Sequence, residues 1–342
     1  MKAFISATSS ISPVRSFGVE KDLTQFNEEE VGYLKAIEPS YRSILNPKMA
    51  RRMARVIKMG MATALDCLSS AKVENPGAIS IGTGLGCLED TYKFFKQIDD
   101  SDEGLLSPTS FIQSTHNTIA GQIALFIGCE NQNFTFSNRG FSFENALEDG
   151  ILKLAEGDDD ILIGGIDEIT SESIELLELL NCSGKINNSE IPVAGEGASM
   201  FMLTNKPDNA IVEIIDIECF FGDNSNVDII SEIEELLNKN GLSEEDLSGI
   251  VSGANGLPND PAFYKSIAGH YNDKPVYEFK KLSGEYFTST AFGLHVSVDI
   301  MHAQKGIETI NINDNKEGEF KHLLLINNYG NQYRTLILIS KP

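Results

Sequence analysis

The sequence predicts an α/β fold, a mixed sheet with helices on its faces, and three observations carry that expectation. Short apolar runs of strand length alternate with segments of helical periodicity along the whole chain. The strand-helix-strand order occurs twice, which implies two related halves, residues 1–222 and 223–342, fused in one globule. No apolar run approaches the roughly 20 residues of a membrane span, so the apolar residues are expected to form a core.

Taken in order, the start MKAFISATSSI reads as a first strand. It has neither the basic region nor the continuous apolar stretch of a signal peptide, and the cytoplasm is the expected location. Residues 48–70 read as one helix, because Met53, Ile57, Met61, Ala64 and Leu68 recur at a period near 3.6. Asn75-Pro76-Gly77 breaks the chain, and residues 78–84 then read as a buried strand entering a glycine turn. Ser107-Pro108 opens a loop leading to a helix through 118–124. A short strand at 133–136, a helix over 141–154, a strand within 158–168 and a helix near 171–180 follow. The strands at 198–204 and 210–221 are long enough to pair as a hairpin closing the first half. The second half continues with a helix over 228–239, a strand at 249–254 and a helix over 260–268. A strand at 275–279, a helix over 284–305 and a closing antiparallel pair at 323–330 and 335–340 complete it.

Composition narrows the function. The 342 residues carry 50 acidic and 27 basic side chains, a net charge of −23. Phosphate binding needs a concentrated basic surface, so nucleic acid is excluded as a partner. The one basic cluster is Lys48, Arg51, Arg52, Arg55 and Lys58; at helical spacing Arg51, Arg55 and Lys58 share a face. A solvated face or a subunit-contact helix is the favoured reading of it, over docking of an acidic carrier protein. Five scattered cysteines without a CxxC pair, and five histidines without HExxH spacing, give no signal for disulfides or metal. No cofactor is expected.

Six segments, in order, resemble the β-ketoacyl synthases of the thiolase-like fold. AISIGTGLGCLEDT (78–91) resembles their glycine turn after a core strand, and residues 107–136 the segment leading to the nucleophile. LAEGDDDILIGGIDE (154–168) is similar to the strand after the nucleophile helix, and VAGEGASMFMLT (193–204) to the GEGA strand. FKKLSGEYFTSTAFG (279–293) resembles the lysine-to-histidine helix start, and INNYGNQ (326–332) the C-terminal asparagine-glycine loop. The resemblance implies duplicated βαβ units in five layers, α-β-α-β-α, with mixed sheets.

It also implies a cysteine at a helix N-terminus, where free N–H groups and the helix dipole favour thiolate and stabilise an oxyanion, with two histidines opposite. The sequence departs at each position. Counting back from Gly157 puts Gly140 in the nucleophile's place. Asn255 stands where the first histidine is expected; its amide donates a hydrogen bond but exchanges no proton at neutral pH. Glu285 stands at the second, where a carboxylate would oppose an enolate. Lys280 is retained, and a salt bridge to Glu285 or Glu144 is its favoured role. After the asparagine the glycine-rich loop of active members is replaced by Gly330-Asn331-Gln332-Tyr333, whose bulk narrows an acyl entrance. Ser137, Ser142 and Cys87 are the remaining candidate nucleophiles; Cys87 reads better as a small buried hydrophobe. His295 and His302 lie two turns apart on one helix face and read as packed or solvated side chains.

The resemblance then implies a non-catalytic, chain-length-factor-like partner of an active ketosynthase in polyketide, aryl polyene or fatty-acid-like synthesis. Its partner is an active homologue in a heterodimer, or a second copy, with an acyl carrier protein engaged through that partner. Such proteins pair through the nucleophile-proximal strand, here 133–136. Phe134, Phe136, Phe141 and Phe143 would then lie near the interface, lining a shared tunnel or filling the vacated pocket, with plain core packing at least as favoured for any one of them, and His116 would face the partner. An acyltransferase or hydrolase with a relocated nucleophile, and a non-enzymatic binding scaffold, are the alternatives.

Overall fold

The computed structural model describes residues 2–18, 21–26, 32–51, 53–100, 106, 108–181, 183–184, 192–223, 227–257, 260–313 and 318–342. Its strands in chain order are β1 (Ala3–Ile11), β2 (Val14–Arg15), β3 (Asp22–Phe26), β4 (Ala78–Gly82), β5 (Gln132–Phe136) and β6 (Ile161–Asp167). There follow β7 (Gly197–Thr204), β8 (Val212–Phe221), β9 (Gly249–Ser252), β10 (Val276–Glu278), β11 (His322–Tyr329) and β12 (Tyr333–Ser340). The helices are α1 (Pro47–Ala50), α2 (Arg55–Ala71), α3 (Leu88–Asp100), α4 (Pro108–Gln113), α5 (Thr118–Ile127) and α6 (Ser142–Glu156). The rest are α7 (Ser171–Leu179), α8 (Ile229–Lys239), α9 (Ala262–His270), α10 (Lys280–Ser283) and α11 (Ser289–Ala303).

Ten strands form one mixed sheet in the order β10-β9-β11-β12-β8-β1-β7-β6-β4-β5. The order contains a duplication. From the centre outward, β1-β7-β6-β4-β5 is matched by β8-β12-β11-β9-β10, and the parallel and antiparallel pairings agree at each step. The two halves meet where Ala3–Ile5 pairs with Val212–Ile214. The sequence expectation therefore needs one correction. β8 does not pair with β7 as a hairpin; it joins β1 and β12 and opens the second half by topology. The halves thus divide before β8, ahead of residue 222.

Three hydrophobic cores show the layering. In β6, Ile161 and Ile163 face one core while Leu162 and Ile166 face another, as period-two alternation requires of a strand covered on both faces. α2 and α5 cover the outer face of the first half, and α8 and α9 that of the second. The core between contains Phe143 and Leu147 of α6, Phe292 and Val296 of α11, and strand residues of both halves. The result is α-β-α-β-α.

Other departures have local causes. The helix expected over 48–70 is broken: Ala54 is extended, and α2 begins only at Arg55. The guanidinium of Arg55 reaches Glu38 and, in a two-nitrogen contact, Glu196, which fixes the start of α2. Among the described residues, the expected basic face is broken up. Arg55 is committed to carboxylates, Lys58 is half-buried and only Lys48 and Arg51 are exposed, while Arg52 lies outside the described residues. The helix expected over 284–305 starts at Ser289, because Gly284 adopts φ +70 and packs its Cα against Gly195. α3 and the β2–β3 hairpin were not foreseen.

Candidate functional site

The glycine turn after β4, the end of β6 and the start of α11 are bound together by one side chain. Asp167 accepts hydrogen bonds from the Gly84 and Leu85 N–H groups, from Thr83 Oγ1, and from the N–H and Oγ1 of Thr288, all at 2.9 to 3.1 Å. Burial pushes its carboxyl up to about 6 against the pull of those donors. Glu196 of the GEGA segment does the same for the neighbouring loop. Wholly buried, it accepts from the N–H groups of Ala36 and Ile169 as well as from Arg55. These two carboxylates are scaffold, and they position the elements that frame the site.

Gly140, which the sequence resemblance puts in the nucleophile's place, lies in the turn Arg139–Phe141 between β5 and α6. Arg139 holds φ +48, a left-handed conformation that non-glycine residues rarely adopt. Gly140 is buried, and a Cβ there would lie 2.8 Å from the Cβ of Tyr333 and 2.9 Å from that of Tyr329. No side chain fits at 140 unless both tyrosines move. They belong to an aromatic plug at the turn joining β11 and β12. The Phe141 ring meets Tyr333 edge-on at 5.0 Å, Phe287 lies 4.6 Å from Tyr329, and Phe221 lies 5.1 Å from Tyr333. Gly330 (φ +58) and Asn331 (φ +55), residue types that tolerate the left-handed region, form the turn that sets Tyr329 opposite Tyr333.

Asn255, Lys280 and Glu285 do converge. Lys280 Nζ donates to Glu285 Oε2 at 2.7 Å and to the Asn328 carbonyl at 3.1 Å, and both charged side chains are almost wholly buried. Asn255 Nδ2 donates to the same carboxylate at 3.4 Å, and Ser289 Oγ to its other oxygen at 3.3 Å. Desolvation pushes the Glu285 carboxyl up; Lys280 and the hydrogen bonds oppose it. A cavity of about 190 Å³ adjoins this cluster, lined in part by Asn255, Asp260, Tyr264, Glu285 and Asn328. Gly140 is not among its lining residues. The arrangement can hold a charge pair; a carboxylate already receiving these donors cannot itself donate to a developing enolate.

The displaced nucleophile candidates are occupied elsewhere. Ser142 Oγ donates to the Arg139 carbonyl at 2.7 Å and accepts from the Asn138 N–H at 2.9 Å, closing the turn before α6. Ser137 is exposed, with its hydroxyl 3.4 Å from the Gly84 carbonyl. Cys87 is buried, which pushes its thiol well above the ordinary range. His302 is exposed. His295 is fully buried, its Nδ1 2.8 Å from Thr8 Oγ1, and burial lowers it to about 4. Among the described residues, no group of three or more His, Cys, Asp or Glu side chains is placed to hold a metal ion. Among them, too, no helix is long and apolar enough to cross a membrane.

The structure sorts the four phenylalanines. Phe134 is 45% exposed on β5, the edge strand of the sheet among the described residues, and Phe136 is half-buried beside it. Phe141 belongs to the plug. Phe143 packs in the core: it is fully buried between the half-sheets, its ring 5.7 Å from Phe201, because the first turn of α6 points it inward. His116 is exposed and packs beside Gly86. Sequence reasoning missed Phe287 and Phe221; Tyr333 was visible as the bulky residue ending a run that is glycine-rich in active ketosynthases.

No curated protein matches the sequence. The β-ketoacyl synthase N-terminal domain family matches residues 26–175. Solved structures match over the whole chain. A β-ketoacyl synthase from Burkholderia phymatum has a TM-score of 0.78 at 14% identity, covering 100% of this chain and 99% of that one. The ishigamide ketosynthase/chain length factor gives 0.80 at 14% identity, with 100% and 99% covered. A ketosynthase in complex with its chain length factor from Xenorhabdus doucetiae gives 0.75 at 13% identity, with 100% and 98% covered. With its duplicated five-strand units, the chain thus has the ketosynthase fold throughout, and residues 26–175 match the β-ketoacyl synthase N-terminal domain family.

Proposed function

We propose that this chain is the non-catalytic, chain-length-factor-type partner of an active ketosynthase in polyketide, aryl polyene or fatty-acid-like synthesis. The observation that carries this reading is the exclusion of any side chain at residue 140 by Tyr329 and Tyr333. The site has lost its sulfur, and the space beside the helix start is filled. The Lys280–Glu285 pair supports the same conclusion, since it replaces the proton-donating imidazole with a neutralised carboxylate. β5, an edge strand carrying Phe134 and Phe136, offers the surface through which an active homologue would pair. Acyl contact would then occur across that edge, in the partner's tunnel, and an acyl carrier protein would dock on the partner.

An enzyme with a relocated nucleophile is disfavoured by the occupied Ser142 and the buried Cys87. The test is co-expression with catalytically intact ketosynthases of the same source. A stable heterodimer is expected, while the chain purified alone shows no condensation and no acyl adduct by intact mass. Condensation by the isolated chain, or a homodimer that persists in the presence of every such ketosynthase, overturns the reading.

A further inference from the structure

A cavity of about 440 Å³ opens where β1 and the end of α2 face α11 and the loop ahead of β8. None of Gly140, Asn255, Lys280 and Glu285 lines it, and its size falls among those of small-molecule sites, roughly 300–1,000 Å³. Its floor and its rim differ in chemistry. On the floor, Thr8 and Asp299 are half-buried. Both are held by the fully buried His295, whose Nδ1 lies 2.8 Å from Thr8 Oγ1 and whose Nε2 lies 3.4 Å from Asp299 Oδ2. At the rim stand Lys21, Lys72, Asn209 and His302, all exposed.

The charges around this cavity do not balance. Lys21 Nζ contacts both oxygens of Asp299, at 3.1 and 3.3 Å, and so cancels the only acid among the described lining residues. Lys72 has no ion-pair partner among the described residues. A chain of net charge −23 thus leaves a lysine and a histidine uncompensated around one cavity, an arrangement that attracts an anion. Lys72 holds its place against the preference of the backbone, at φ +59, where glycine is the usual residue ending a helix. The adjoining cavity, which shares Lys21 and Asp299, sets Asp22, Asp299 and Glu308 against Lys21 and Lys305 and has no such excess. Asp299 keeps acceptor capacity beside its contacts to Lys21 and His295, because a carboxylate has about four lone-pair positions. We infer that this cavity binds a small phosphate monoester with free hydroxyl groups. The phosphate sits among Lys72, Asn209 and His302, and the hydroxyls donate to Asp299 and Thr8. The inference is independent of any pairing with a ketosynthase.

The experiment is calorimetric titration of the full-length chain in phosphate-free buffer with glycerol 3-phosphate, ribose 5-phosphate and glucose 6-phosphate. Inorganic phosphate and glucose serve as comparisons. Saturable binding of at least one ester is expected, tighter than that of inorganic phosphate, with no binding of glucose. Lys72→Gly should weaken it by about tenfold or more, the effect of losing a hydrogen bond from a charged group. Its melting temperature should be unchanged or raised, because glycine suits the left-handed backbone there. A lysine with a merely structural role would not give lost binding with retained stability. Lys48→Gln, an equal loss of charge on an exposed residue outside the cavity, should bind as wild type. Absence of binding by all three esters, equal affinity for inorganic phosphate, or equal weakening by Lys72→Gly and Lys48→Gln overturns the inference.

Discussion

Tyr333 and Gly140 exclude one another: a side chain begun at residue 140 would start 2.8 Å from the Cβ of Tyr333. Gly140→Ala is therefore expected to destabilise the protein by about 1–3 kcal/mol, the usual result of overpacking a filled site. In the double variant with Tyr333→Gly the two effects should be less than additive, because the enlarged residue then has space. Thermal or urea unfolding of the four proteins checks this. Strict additivity would mean that the tyrosine does not restrict residue 140. Gly140→Cys should remain inactive in condensation.

Lys280 and Glu285 are side-chain partners with almost no solvent access. Replacing Lys280 by Met leaves a buried carboxylate without its counter-charge and should cost about 3–5 kcal/mol. Replacing both by Met should cost far less than the single change, since packed apolar side chains need no compensation. Urea midpoints at constant m-value read the difference.

Glu144 gives a pH signature. It is fully buried, and desolvation pushes its carboxyl up to about 7 against an ordinary 4.5. The folded state thus binds more protons than the unfolded state between those values. The contribution of Glu144 to stability is fully present below about 4.5 and is lost as pH rises through about 7. Glu144→Gln should gain on wild type by on the order of 3 kcal/mol between pH 4.5 and pH 8. Unfolding free energies measured across that range test the sign, and a pH-independent difference contradicts it.

His295 runs the other way. Its imidazole is lowered to about 4 by burial, from 6.5, so the unfolded state takes up the proton first. Stability from this residue is present above about 6.5 and is lost as pH falls towards about 4. His295→Gln should flatten the acid limb of the stability profile, read from melting temperatures between pH 4 and pH 7.

The Arg55–Glu196 pair is expected to be structural. Arg55→Ala leaves Glu196 buried with only two N–H donors and should destabilise by about 3–5 kcal/mol. Arg51→Ala, on an exposed side chain, should change stability by less than about 0.5 kcal/mol. Calorimetry on both variants separates a clasp from a basic patch.

Local pattern carried much of this protein. The alternation of apolar runs with helical periodicity, the glycine turns and the loss of cysteine and histidine from their expected places are properties of neighbouring residues, readable without coordinates. They led to the mixed α/β fold and to the reading of Gly140, Asn255 and Glu285 as altered positions. What the sequence left open depends on which distant side chains meet. Tyr333 blocks Gly140 only because the β11–β12 turn folds back over the start of α6. Arg55 has the spacing of a solvated basic face, yet it lies within reach of Glu38 and Glu196, and desolvation makes that contact decisive. Phe143 sits in an aromatic run and turns inward because α6 is the layer shared by both half-sheets. Strand β8 could equally have paired with β7, but the duplicated order gives it to β1 and β12. Periodicity is set residue by residue; long-range contact, burial and charge pairing exist only once the chain has closed on itself.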